Sequence, residues 1–106
     1  MSEAFEIQEI LRKTAGERYY AEFLRVPAMS AGIYRLSVGA ADLQKPHEED
    51  EIYFVIRGKA KMQIGSQHRE VTDGLVIFVE ARADHRFYDI EQELVLLVVF
   101  APAESS

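Results

Sequence analysis

A chain of 106 residues, 48% of them hydrophobic, has the material for one folded core and is too short for two. Eighteen acidic and twelve basic side chains give a net charge of -6, which disfavours nucleic acid and anionic membranes as partners. The absence of cysteine excludes disulfides and thiolate ligands, so a metal ion could be held only by imidazole, carboxylate or amide groups. Because no signal-peptide pattern follows Met1 and no apolar run reaches membrane-spanning length, we expect a cytoplasmic protein.

The first predicted element is one short amphipathic helix over residues 4–15. Apolar residues recur there at helical spacing, acidic residues come early, basic residues come late, and Gly16 follows.

After Gly16 the sequence is typical of an all-β fold, because short runs rich in Tyr, Phe, Val and Ile alternate with turn residues. Turns are predicted at Arg57-Gly58-Lys59, Gly65-Ser66-Gln67 and Asp73-Gly74. The chain is therefore expected to be a single domain over 1–106, with a barrel or sandwich over 18–101 and a frayed tail over 102–106. The predicted strands are 18–26, 31–38, 51–57, 59–65, 68–73, 75–80, 85–89 and 94–100.

The densest polar cluster runs from Gln44 to Glu51 and allows two arrangements. In a helix, His47 and Glu51 would lie four residues apart on one face, like a helical metal pair. In the alternative, Glu51 begins a strand, the chain doubles back through residues 48–50, and Tyr53 faces inward with Glu51. The apolar run that follows is rich in β-branched and aromatic residues, which favours the strand. The commonest explanation of such a charge run is a solvated turn.

His85 lies at the start of a predicted strand, and a lone histidine there is more often structural than a ligand. Together with His47 and Glu51 it would form a set of two imidazoles and one carboxylate. Such a set leaves coordination positions open and suits Fe(II), Mn or Zn. His68, beside a predicted hairpin turn, is expected to be an exposed surface residue.

These residues resemble the first of the two cupin motifs. Gly39 is followed by five residues, then by Lys45-Pro46-His47, three residues, Glu51, six residues and Gly58. The spacing of the family motif is complete, but Lys45 occupies the position of its first histidine.

The second cupin motif is also matched in its spacing but not in every residue. Gly74 is followed by five residues, then by Glu80-Ala81-Arg82, two residues, His85, three residues and Asp89. The spacing holds, while Glu80, Arg82 and Asp89 replace the family's Pro, Gly and Asn. The approach to His85 could therefore follow a different path from that of the family.

The resemblance implies a cupin double-stranded β-helix, that is, a jelly-roll barrel, with a short N-terminal helix. It also implies one divalent metal ion (Zn, Fe, Mn or Ni) held by His47, Glu51 and His85. A protonated Lys45 cannot ligate, so the fourth position is either open or supplied by a neighbour such as the amide oxygen of Gln44.

Three functions follow from the resemblance. The chain could be a metal-dependent dioxygenase or isomerase acting on a small molecule, with Tyr53 as proton donor and Tyr53, Phe87 and Tyr88 as pocket walls. It could be a non-catalytic module that binds a metal or small ligand. It could also be a barrel that has lost its metal. A homodimer is implied as well, with the helix and the apolar outer strand faces as candidate contacts.

Overall fold

The structure, a computed structural model, describes residues 2–16, 19–42 and 44–105 and consists of one helix and six strands. The predicted all-β fold with a short N-terminal helix is confirmed. The predicted strand start at residue 18 and the tail end at residue 106 lie outside the described residues. None of the described helical residues forms a helix long and apolar enough to cross a membrane. The elements are α1 Ile7–Lys13, β1 Tyr20–Val26, β2 Met29–Leu36, β3 Asp50–Ile64, β4 Gln67–Thr72, β5 Val76–Val79 and β6 His85–Ala101.

Two long antiparallel strands, β3 and β6, form the centre of the sheet. They pair from Asp50 with Ala101 to Ile64 with His85, and the register shifts repeatedly between Val55 and Lys61. Beyond them the sheet continues through β2 and β1 on one side and β4 on the other, while β5 pairs with the first half of β3. Bulges bend a strand and increase its twist, so these shifts let the sheet curl around its core.

Gly58 lies inside β3, so the turn predicted at residues 57–59 is wrong. Its φ is +127°, and an added Cβ would lie 2.6 Å from the Glu93 carbonyl oxygen and 2.7 Å from Leu94 Cα. Its N–H donates to the Asp73 carboxylate at 2.9 Å. The glycine is therefore required by a bulge that approaches β6 closely, and the predicted strands 51–57 and 59–65 are one strand. The predicted strands 85–89 and 94–100 likewise belong to the single strand β6.

The first half of β3 has one buried face and one exposed face. Glu51, Tyr53 and Val55 are buried in the main core, whereas Ile52 and Phe54 on the opposite face are exposed, as the predicted alternation requires.

The helix packs against the outer face of the sheet. Its buried residues Ile10 and Leu11 contact Ile33 and Val95. Arg35 donates to the Leu11 carbonyl at 2.9 Å, which places a cation at the carboxyl end of the helix. The apolar side of α1 is therefore covered within the chain itself.

The link between β5 and β6 is held to residues 47–50 by hydrogen bonds and an ion pair. Arg82, which stands where the family motif has a glycine, has a φ of +67°, in the left-handed region that favours glycine. Its N–H donates to the His47 carbonyl at 2.6 Å, and its guanidinium pairs with Glu48 at 2.8 Å. Ala81 N–H donates to the Asp50 carboxylate at 2.8 Å. These bonds tie the two motif segments together.

Candidate metal centre

His47, Glu51 and His85 converge, as the sequence predicts. Each offers a ligand atom, and these atoms all lie within 4.8 Å of one another. His47 precedes β3, Glu51 is the second residue of β3, and His85 begins β6. The alternative of a helical His47–Glu51 pair is wrong because no described residue of 44–49 is helical and Glu51 lies in a strand.

The His85 ring is oriented by a hydrogen bond on each side. Its Nδ1 lies 2.9 Å from the Ala83 carbonyl, which can only accept, so Nδ1 carries a proton. Its Nε2 therefore points into the site, 2.9 Å from Glu51 Oε1. Burial lowers the pKa of His85, but the hydrogen bonds to Glu51 and Ala83 outweigh burial and hold the pKa above its ordinary value.

The Glu51 carboxylate is only 2% exposed and keeps one oxygen without a partner. Within residues 2–16, 19–42 and 44–105, Glu51 Oε2 has no hydrogen-bond partner. Leaving a buried acceptor unsatisfied costs about 1–3 kcal/mol, and more for a charged group. A cation beside this oxygen would remove that cost, so the donor set of two imidazoles and one carboxylate fits a divalent metal ion.

Gln44 brings a fourth donor to the same place. Its Oε1 lies 3.3 Å from His47 Nε2 and 3.1 Å from the Tyr53 hydroxyl. Lys45, at the position of the family's first histidine, is exposed. The residue before the lysine, and not the lysine itself, therefore faces the centre.

Asp42 orients Gln44, a role that the sequence-based prediction did not include. It accepts from the Gln44 side-chain amide at 2.9 Å, which turns Oε1 of Gln44 towards the site. It also accepts from the Tyr34 hydroxyl at 2.7 Å and the Phe87 N–H at 2.9 Å. The Gln44 N–H donates to the same carboxylate at 3.2 Å. An Asp two residues before a polar ligand candidate is a local signal that could have suggested this role.

Tyr53 is fully buried and lies next to the candidate ligands. Its hydroxyl lies 3.1 Å from both Gln44 Oε1 and His85 Nε2. Burial, followed by the charge of Glu51, raises the pKa of Tyr53 well above its ordinary value. The phenol therefore keeps its proton and acts as a hydrogen-bond donor.

The other two predicted pocket walls have different surroundings. Phe87 is buried and packs edge-on against Tyr53, with ring centroids 5.1 Å apart, behind the pocket wall. Tyr88 does not line the pocket. Its hydroxyl lies 2.7 Å from Nδ1 of His68, which is outside the site. His68 is exposed as predicted, although it lies in β4 and not in the turn.

A cavity of about 250 Å³ lies next to this cluster. One wall depends on Gly32, because a Cβ there would lie 2.6 Å from the Tyr20 hydroxyl oxygen. That hydroxyl is buried, and the described residues give it no hydrogen-bond partner. The lining is mainly aromatic and contains no lysine or arginine among residues 2–16, 19–42 and 44–105. It comprises Tyr19, Tyr20, Tyr34, Gln44, His47, Tyr53, Val98, Phe100 and Glu104.

The tail after β6 is attached to the protein surface, so the prediction that it is frayed is wrong for residues 103–105. Burial raises the pKa of the Glu104 carboxyl, which lines the cavity. No periodic pattern in the sequence indicates this placement, because the anchoring contacts are distant along the chain. The anchoring hydrogen bonds run from Ala103 N–H to the Pro27 carbonyl (3.3 Å), Glu104 N–H to Ser30 Oγ (2.9 Å), Arg25 to the Glu104 carbonyl (2.7 Å) and Ser105 Oγ to Glu49 (2.8 Å).

Comparison with known proteins assigns the family. The cupin domain profile matches residues 32–100, and the chain therefore belongs to the cupin family. An uncharacterized protein from Streptomyces coelicolor is 42% identical over 103 residues, which cover 96% of this chain and 98% of the relative.

Solved structures show the same fold at low sequence identity. The protein TT1209 from Thermus thermophilus superposes with a TM-score of 0.74 at 22% identity, covering 96% of this chain and 99% of that one. A Klebsiella pneumoniae protein with a double-stranded β-helix domain gives a TM-score of 0.76 at 17% identity, covering 96% and 91%. The predicted cupin double-stranded β-helix is confirmed.

Proposed function

We propose that this cupin binds one divalent metal ion through His47 Nε2, Glu51 and His85 Nε2, with Gln44 Oε1 as a fourth ligand. The observation that carries the proposal is the convergence of the three ligand atoms within 4.8 Å. The unpartnered buried oxygen of Glu51 supports it, because a cation would satisfy that atom. Two nitrogen and two oxygen donors suit Zn, Fe, Mn or Ni.

The cavity beside the ligands supports a small-molecule partner. The described lining residues are mainly aromatic and include no lysine or arginine, so the polar groups they offer a ligand are hydroxyl, amide, imidazole and carboxylate groups. The ion would bind one oxygen of the ligand, and the Tyr20 hydroxyl, which has no partner among the described residues, would donate to another acceptor. We therefore propose a compact, largely apolar ligand that carries a carboxylate, carbonyl or hydroxyl oxygen.

In the enzymatic form of this proposal, the reaction is a metal-dependent isomerisation or dioxygenation. A bound divalent ion would supply Lewis acidity or oxygen activation at this place. Tyr53 is the candidate proton donor, since its hydroxyl lies between Gln44 and His85. A cation nearby would lower the raised pKa of this phenol, which favours proton transfer only when the site is loaded.

The second candidate is a non-catalytic metal or ligand-binding module. The burial of Tyr53 and its raised pKa favour this alternative, because such a phenol holds its proton and orients Gln44. An activity screen separates the enzyme from the binding module. The protein is first loaded with metal and then tested for oxygen uptake and for turnover of keto acids and sugars.

The first test is metal binding by the wild-type protein. Protein purified without a metal-affinity tag and stripped with a chelator should bind one equivalent of Zn²⁺, Mn²⁺, Ni²⁺ or anaerobic Fe²⁺ in a calorimetric titration. Metal at 100 times its Kd should stabilise the fold by about 2.7 kcal/mol. Less than a tenth of an equivalent, with no rise in the unfolding temperature, would contradict the proposal.

We further propose that the dimer implied by the family forms through the apolar outer face of β3 and β5. Ile52 pairs with Phe78 and Phe54 pairs with Val76 across these strands, and all four side chains are exposed. An exposed apolar patch of this kind is typical of an interaction surface.

Phe78→Glu should convert a dimer to a monomer, measured by size-exclusion chromatography with light scattering, because it buries a charge in the contact. Val38→Glu is the control, since Val38 is equally exposed but lies outside this patch. A monomeric wild type, or equal dissociation by Val38→Glu, would refute the contact.

A further inference from the structure

Glu104 contacts the ring nitrogen of His47 opposite to the one that lies near Gln44. His47 Nε2 lies 3.3 Å from Gln44 Oε1, within the cluster. His47 Nδ1 lies 3.5 Å from Glu104 Oε2. The carboxylate is only 23% exposed and the imidazole 18%, so water screens the pair little.

His85 shows what such a partner does. Its Nδ1 donates to the Ala83 carbonyl, and this bond directs Nε2 towards the other candidate ligands. Ligand histidines almost always donate their second ring N–H to a carboxylate or carbonyl, which sets the tautomer and the ring orientation. His47 needs an equivalent acceptor, and Glu104 is placed to be one, since its Oε2 lies 3.5 Å from Nδ1, at the outer limit of a hydrogen bond.

His47 has a competing hydrogen bond that would block metal binding. A neutral imidazole carries one proton. With the proton on Nε2, the ring would donate to Gln44 Oε1 and the ligand atom would be occupied. With the proton on Nδ1, the ring would donate to Glu104, and Nε2 would keep its lone pair for a metal. A carboxylate is the stronger acceptor of the two, so Glu104 favours the second tautomer.

We infer that Glu104 is a positioning residue that holds His47 in the Nδ1–H tautomer and thereby preorganises the metal centre. This inference rests on the proposed metal-binding function. It also explains why the segment 103–105 is fastened by backbone and side-chain bonds, since these bonds place the carboxylate beside the ring.

The test compares Glu104→Gln with Glu91→Gln. Glu104→Gln removes the carboxylate but leaves the bonds of the Glu104 backbone to Ser30 and Arg25 intact. Glu91→Gln removes the same charge from an exposed residue of β6 that pairs with Lys59 and has no contact with the segment 103–105 among the described residues. The first readout is the Kd for Zn²⁺ alone, measured by competition with a chelator. The second is the His47 tautomer in the metal-free protein, read from long-range proton–nitrogen NMR spectra of the imidazole rings.

We expect Glu104→Gln to weaken Zn²⁺ binding about 10- to 100-fold and to move the His47 proton from Nδ1 towards Nε2. Glu91→Gln should leave both readouts as in the wild type. Wild-type affinity in Glu104→Gln, an unchanged tautomer, or an equal loss in Glu91→Gln would overturn the inference. A wild type that binds no Zn²⁺ but shows His47 protonated on Nδ1 would instead refute the proposed function, because the tautomer is read without metal.

Discussion

His47→Ala is expected to weaken metal binding by more than about 100-fold, beyond the loss typical of an outer-shell substitution. The variant removes one of three converging ligands and leaves Glu51 and His85 paired as in the metal-free protein. His47 is the ligand to replace because it is the least buried of the three, so the fold should tolerate the change. The measurement is metal content together with calorimetric affinity.

His68→Ala is the matched control for this prediction. His68 is exposed and contacts Tyr88 outside the site, so its loss should leave the metal affinity unchanged. Full metal binding by His47→Ala, or a comparable loss in His68→Ala, would show that the ion is held elsewhere.

Gly58→Ala is expected to reduce the free energy of unfolding by about 3 kcal/mol or more. The residue has a φ of +127°, a conformation that L side chains rarely adopt, and its new Cβ would lie 2.6 Å from the Glu93 carbonyl oxygen. The two nearest atoms that crowd this position belong to the β6 backbone, which cannot move without opening the β3–β6 pair. Urea denaturation gives the free energy, and the unfolding temperature should fall by roughly 4–8 °C per kcal/mol.

Gly39→Ala separates backbone strain from crowding. Gly39 also has a positive φ, +75°, but a Cβ added there would have no neighbouring atom within 4 Å. Its replacement should cost only about 1 kcal/mol. If both variants lost the same free energy of unfolding, the contact of the new Cβ with β6 would contribute nothing to the effect of Gly58→Ala.

Local patterns predicted much of the fold and of the site. The alternation from Glu51 to Val55 predicted which side chains of β3 face the core, because successive side chains of a strand point to opposite faces. The spacing of His47, Glu51 and His85 within the two cupin motifs predicted that they converge, and the structure places their ligand atoms together.

Gly58 shows why strand boundaries were harder to predict. Turns and bulges both require a residue that tolerates positive φ, so a glycine in the sequence is consistent with either. Only the pairing of β3 with β6 on both sides of Gly58 identifies the bulge. The same pairing makes β6 one continuous strand where the sequence suggested two.

The sequence by itself determined the fold class, the family and three candidate ligands, because these depend on residue type and on spacing along the chain. Tertiary structure alone decided that Gln44 and not Lys45 faces the site and that Glu104 lies beside His47. These roles depend on hydrogen bonds and contacts between residues as far apart as 57 positions in the case of His47 and Glu104. No local pattern encodes such contacts, since they form only when the curled sheet brings the loop before β3 and the tail after β6 together.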